Sequence, residues 1–284
     1  MHQGDDQALE RALALLQNTI FSFSMKVCGH REDAEDTMQE VLAKSVPQLP
    51  KFESPRALLV WLYKVAKTRC LMSRRKGKFA PAQELSLDAL RPDRDELEHL
   101  GGDGGINPEM FAIRSEQASR LRDAIQRLPP QYRIVLVLRD MEGLTDEEVA
   151  EITGLRPVNI RVRLHRARLF VRKELMKTWA LPPHGRRKRS STAPEPLRPK
   201  SCKAMFAELS NYLDAQLDDS LCAELEQHLA GCSPCKVFIA TLEATIDQCR
   251  KAPAGLPAPR KAARLRKDLT QSYRQAADAL RAKA

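Results

Sequence analysis

Residues 144–175 read LTDEEVAEITGLRPVNIRVRLHRARLFVRKEL, and their pattern decides the fold. Thr145 followed three residues later by Glu148 is a capping box, so a helix starts there. Val149 and Ile152 continue it at helical spacing, and Gly154 permits a sharp turn. Pro157 suits the first turn of a second helix, with Asn159 as a further cap. On that helix Ile160, Leu164, Ala167 and Val171 share one face at ~100° per residue, the expected buried side. Arg161, His165, Arg168 and Arg172 fall on one flank, expected to be exposed, and Arg163 and Arg166 on the other. From Arg156 to Lys173 there are seven basic residues and no acidic one. A short helix, a glycine turn and an arginine-rich second helix fit insertion into a DNA major groove. Arginine there pairs with guanine edges or phosphates. Charge alone is equally met by a solvated basic helix; the turn chemistry argues against that.

Upstream, Leu121, Ile125 and Leu128 fall at helical spacing before Pro129-Pro130, and Ile134, Val135, Leu138 and Met141 form another stripe ended by Gly143. Aromatic residues are only 5% of the 284, and strand-like runs are scarce, so the fold class is all-α. Gly101, Gly102, Gly104, Gly105 and Asn107-Pro108 mark a linker over 77–117. A phosphate loop is disfavoured there, because no strand precedes the glycines and no Lys-Ser/Thr follows. A Pro-rich stretch over 181–200, around Arg186-Arg187-Lys188-Arg189, is a second linker. The expected organisation is a helical region 1–76, the linker 77–117, a helix-turn-helix region 118–180, the basic linker 181–200, a compact region 201–250 and a basic tail 251–284.

The net charge of +10 suggests an anionic partner. Most of the excess lies in residues 185–200 and 250–284, whereas 201–249 is acidic. The tail has the makings of a basic amphipathic helix over Lys261–Ala282, or of a solvated segment. No apolar stretch approaches ~20 residues, so no membrane span is expected. The start, Met-His-Gln-Gly-Asp-Asp, does not read as a signal peptide. With seven cysteines this predicts a cytoplasmic, reducing location, where Cys/His clusters are metal sites more often than disulfides. Cys28, Cys70, Cys222 and Cys249 read as ordinary thiols.

His228-Leu-Ala-Gly-Cys232-Ser-Pro-Cys235 places three soft or borderline ligands within eight residues. His228 and Cys232 share a helix face, Cys235 follows at CxxC spacing, and Cys202 is available as a fourth ligand. Cys₃His coordination suits a structural Zn²⁺ and leaves no open position for catalysis. The six histidines are otherwise scattered, with no HExxH, no GxxxxGK[ST] and no nucleophile motif, so the chain is not read as an enzyme.

The stretch from Leu128-Pro129 through Leu144-Thr-x-Glu-Glu-Val-Ala150 to Arg163-Leu-His-Arg-Ala-Arg168 resembles region 4 of extracytoplasmic-function sigma factors. That resemblance implies reading of a −35 promoter element, with Asn159, Arg161, Arg163, His165, Arg166 and Arg168 as candidate DNA contacts. Residues 31–42, REDAEDTMQEVL, are similar to the region 2 segment that binds the polymerase clamp. Ala34, Met38, Val41 and Leu42 form the expected inward stripe, leaving Asp33, Asp36, Gln39 and Glu40 as the candidate contacts with core RNA polymerase. The following FESPRALLVWLYKVAKTRCLMSRRK is similar to the helix that melts and holds the −10 element. Its candidates are Trp61, Lys64, Lys67, Thr68, Arg74 and Arg75, cations for phosphate and a surface for an extruded base. Thr68 and Met72 stand where the family usually has Asn and Asp, which predicts a shifted −10 preference or weaker melting.

Residues 202–249 resemble the zinc-binding anti-sigma domain, including Leu209-Ser-x-Tyr-Leu-Asp214, with Ala215 where Gly is usual. Together these resemblances imply a sigma factor that directs promoter-specific initiation on core RNA polymerase. They also imply regulation in cis by its own zinc domain, through an intramolecular contact with the sigma domains. The competing reading is an interaction and regulatory protein in which the zinc domain is primary and which binds polymerase or DNA without productive initiation.

Overall fold

A computed structural model describes residues 2–45, 48, 51–52, 54–75, 84–92, 115–179 and 200–252. The described residues form helices and no strand, the all-α class expected. In chain order they are α1 His2–Cys28, α2 Arg31–Ser45, α3 Pro55–Arg75, α4 Leu87–Leu90, α5 Ser115–Arg127 and α6 Pro130–Leu136, the last continuing through a π-helical turn, Val137–Met141. Then follow α7 Asp146–Thr153, α8 Pro157–Trp179, α9 Lys200–Leu213, α10 Asp219–Gly231 and α11 Ser233–Lys251. No single helix among them is long and apolar enough to cross a membrane. The glycine cluster at 101–105, the linker 181–199 and the tail from 253 lie outside the described residues.

The helices fall into two compact units. Among the described residues, the first holds α1–α3 and 129–160, and the second α4, α5, 161–179 and 200–249. In the first, Leu16, Ile20, Phe23 and Val27 line one face of α1 at helical spacing and are buried. They meet Leu58, Leu62, Ala66 and Cys70 on α3, and Phe23 lies 4.7 Å from the Tyr63 ring. Glu32 and Asp33 in the first turn of α2 complement its dipole. The buried stripe of α2 is Ala34, Thr37, Val41 and Ser45, rotated from the one expected: Met38 and Leu42 are half-buried. Hydroxyls can be buried here because they have partners. Ser45 donates to the Leu42 carbonyl at 2.8 Å, and Thr37 Oγ1 lies 3.8 Å from Cys70 Sγ.

Cys28 and Cys70 do not stay as thiols. They form a disulfide across the α1–α3 contact, with 5.4 Å between Cα atoms. Sequence spacing could not have shown this, because the pair is 42 residues apart and is brought together only by packing. Closing a loop of that length stabilises a fold by up to about 4 kcal/mol through the unfolded chain. Urea unfolding of the full chain with and without dithiothreitol is expected to show a loss of that order for α1–α3. Equal midpoints would mean that the bond contributes nothing.

In the second unit α5 buries Leu121, Ala124, Ile125 and Leu128, and α8 buries Leu164, Ala167, Val171 and Leu175. Asp218 caps α10 through the Leu221 amide at 3.0 Å. Phe206 of α9 meets Phe238 of α11 edge to face at 4.9 Å. The end of α9 closes in a Schellman arrangement: the Gln216 amide bonds the Asn211 carbonyl and the Ala215 amide that of Tyr212. Ala215 therefore takes φ 53°, a left-handed conformation that costs an alanine about 1 kcal/mol and glycine nothing. The neighbouring Asp214 is fixed by that turn.

Candidate nucleic-acid interface and metal centre

The helix-turn-helix forms by the local rules its sequence carries. Thr145 Oγ1 accepts the Glu148 amide at 3.3 Å and Glu148 returns a carboxylate to the Thr145 amide at 2.8 Å, completing the capping box. Gly154 takes φ 75° and ends α7. The Ile160 amide bonds the Arg156 carbonyl, so α8 begins at Pro157 and Asn159 lies within its first turn, exposed, rather than capping it.

Along α8 the expected buried face holds: Ile160, Leu164, Ala167 and Val171 are all buried. The expected exposed flank does not. His165, Arg168 and Arg172 are buried, because elements of the second unit far along the chain supply partners. Arg168 places both terminal nitrogens on Asp214, at 2.7 and 2.9 Å, with the two side chains 1% and 8% exposed. His165 Nδ1 lies 2.8 Å from Ser210 Oγ. Arg172 Nε donates to Thr241 Oγ1 at 2.8 Å, and its guanidinium stacks 3.7 Å above the Phe238 ring. One flank of α8 is thus held by α9 and α11. Arg161, Arg163 and Arg166 are half-buried.

Burial, with Arg168 beside it, pushes the His165 imidazole down to about 4; the Phe206 backbone only partly offsets this. The fold thus accommodates the neutral ring, whereas the unfolded chain binds a proton near 6.5. The stability tied to His165 is complete above pH 6.5 and is lost as pH falls toward 4, about 3 kcal/mol in all. Melting curves between pH 7 and 4.5 should fall more steeply for the native chain than for His165→Gln. Parallel curves would remove His165 as the cause.

On α3, Trp61 is half-buried with Phe52 at 5.7 Å, and Lys64 and Thr68 are exposed. Lys67 is half-buried and donates to the Ile152 carbonyl at 2.7 Å. Its ammonium is pushed below its usual range by burial and then by Lys64. Arg74 and Arg75 lie in the last turn of α3; their side chains are outside the described residues. On α2, Asp36 and Gln39 are exposed and Asp33 is half-buried. Glu40 pairs with Lys44 and Arg69, each at 2.7 Å. The Lys44 hydrogen bond holds its carboxyl below the usual range against partial burial.

His228 in the last turn of α10, Cys232 between α10 and α11, and Cys235 in the first turn of α11 converge. Their ligand atoms all lie within 4.8 Å of one another, with His228 Nε2 3.3 Å from Cys235 Sγ. Tetrahedral zinc bonds of ~2.0–2.3 Å require donor atoms this close, and two thiolates with an imidazole are a zinc donor set. Cys202 lies in the first turn of α9, and its side chain is outside the described residues.

Residues 13–79 match the family model for sigma-70 region 2, residues 118–171 that for sigma-70 region 4, and residues 202–236 that for a putative zinc-finger. The ECF RNA polymerase sigma factor SigW of Bacillus subtilis is 25% identical over 173 residues, 61% of this chain and 91% of that protein. The RNA polymerase sigma-H factor of Pseudomonas aeruginosa is 26% identical over 182 residues, 62% and 90% of the two chains. The RNA polymerase sigma factor YlaC of Bacillus subtilis is 28% identical over 159 residues, 56% and 87%. Over these matched stretches the chain is similar to the extracytoplasmic-function sigma factors. The region 2 match falls on α1–α3, the region 4 match on α5–α8, and the zinc-finger match on α9, α10 and the first turn of α11.

On α8, two further residues stand out. Val158 and Val162 are 64% and 45% exposed, one turn apart on α8. The two valines stand at i and i+4 on the side opposite Ala167, a pattern readable in the sequence.

Proposed function

We propose that this chain is a sigma factor that binds core RNA polymerase and directs promoter-specific initiation, and that its zinc domain restrains it in cis. Asp33, Asp36, Gln39 and Glu40 would face the polymerase. Trp61, Lys64, Lys67, Thr68, Arg74 and Arg75 would hold the −10 strand, and Asn159, Arg161, Arg163, His165, Arg166 and Arg168 the −35 duplex. The observation that carries the restraint is the two-bonded Arg168–Asp214 pair. A carboxylate offers a guanidinium the same forked acceptor as a phosphate, so Asp214 and a DNA backbone compete for one side chain. Tethering places the competitor at an effective concentration in the ~mM range. His228, Cys232, Cys235 and Cys202 would hold Zn²⁺, which supplies the fold of the competing domain rather than a reaction step.

Run-off transcription with core polymerase separates the readings. Residues 1–180 are expected to give several-fold more product than the full chain. Equal or lower product would argue against restraint. Absence of product from both would favour an interaction protein without initiation. One observation leans that way: Thr68 turns its hydroxyl back onto the Lys64 carbonyl at 2.8 Å instead of offering it outward.

A further inference from the structure

We propose that the end of α1 and one side of α3 form a docking surface for the α6–α7 segment of the same chain, closing region 2 onto the middle of region 4 in the free protein. This latch uses neither the metal nor the zinc domain. It therefore goes beyond restraint by Asp214, and it depends on the sigma reading only for what α3 does when released.

Its polar contacts lie within one compact unit, and each involves a charged group. Arg133 of α6 is 2% exposed and donates at 2.9 Å to the Val27 carbonyl in the last turn of α1, where a helix end favours a cation. Glu142, just past the π-helical turn, is engaged at both oxygens. Lys26 of α1 reaches one at 2.5 Å and the Tyr63 hydroxyl of α3 the other at 2.7 Å. Lys26 and Glu142 are 11% and 13% exposed, so the pair is shielded from water and salt. Lys67 donates to Ile152 in the last turn of α7. Arg56 forks onto both oxygens of Glu148.

Three of these donors, Arg56, Tyr63 and Lys67, stand on α3, the helix assigned to the −10 strand. Two carboxylates and a helix-end carbonyl occupy groups that an anionic strand would otherwise meet. An interface built from ion pairs separates more readily than an apolar core, because each partner can be rehydrated. Cys28, next to Lys26 and Val27, is bonded to Cys70, one turn from Lys67. The disulfide thus holds the two halves of the docking surface together.

Charge reversal in the full chain tests the latch. Glu142→Lys and Lys26→Glu are each expected to speed amide hydrogen exchange in 146–153 and 55–70 by at least about tenfold, with helical content unchanged by circular dichroism. The double swap should return most of that protection. Each single variant should also bind a fluorescein-labelled 20-nucleotide single-stranded DNA more tightly than the native chain, although their charges change in opposite directions. Native-like exchange in both single variants would overturn the proposal, as would affinity that simply follows net charge. Faster exchange without any DNA binding would uphold the latch and overturn the assignment of α3.

Discussion

Asp214→Ala is expected to detach α8 from α9 and to raise promoter binding by the full chain to near that of residues 1–180. Arg168 is 1% exposed and directs both terminal nitrogens at the carboxylate. Removing one partner of such a pair costs about 3–5 kcal/mol, because the remaining charge stays out of water. The second unit can avoid that cost only by opening, which returns Arg168 to solvent. Docking of a tethered domain is worth a few kcal/mol at most, so the same amount tips it open. Asp214→Asn keeps a hydrogen-bond acceptor without the charge and should fall between. Fluorescence anisotropy with promoter duplex selected by the polymerase holoenzyme reads the change. Affinity equal to that of the native chain, with an unchanged melting curve, would show that the pair restrains nothing.

The helix-turn-helix was legible because its determinants are local. Thr145 and Glu148 cap each other, Gly154 alone tolerates the turn, and Ile160, Leu164, Ala167 and Val171 can be counted along one helix. The Cys232–Cys235 spacing and His228 were legible for the same reason, one turn of chain on either side of a break. What failed depended on distant partners. A helical wheel sends Arg168 and Arg172 outward, since a buried guanidinium needs an acceptor that the wheel does not contain. Those acceptors are Asp214 and Thr241, 46 and 69 residues away. Asn159 caps nothing because the helix already starts at Pro157, whose missing amide suits the first helical position. The rotation of α2 toward Thr37 and Ser45 required knowing that their hydroxyls find partners after folding.

Removing the metal is expected to go further than Asp214→Ala. Structural zinc contributes about 10–16 kcal/mol in small domains, comparable to or larger than the total stability of most of them, about 5–15 kcal/mol. Here His228 and Cys235 tie the end of α10 to the start of α11, and beneath them Phe206, Leu225 and Phe238 complete a small apolar core. Three thiol or imidazole donors crowded within 4.8 Å have little reason to stay together without a cation. Chelation should therefore melt α9–α11 and strip the cover from His165, Arg168 and Arg172 at once. Promoter binding would rise as in Asp214→Ala, but with a loss of helical signal which that substitution does not produce. Cys235→Ser should reproduce the chelated state in the presence of Zn²⁺. Retention of native helicity and melting after exhaustive chelation would mean that the apolar core alone holds the domain. Restraint would then owe nothing to the ion, and the acidic face that meets Arg168 would act whether or not metal is bound.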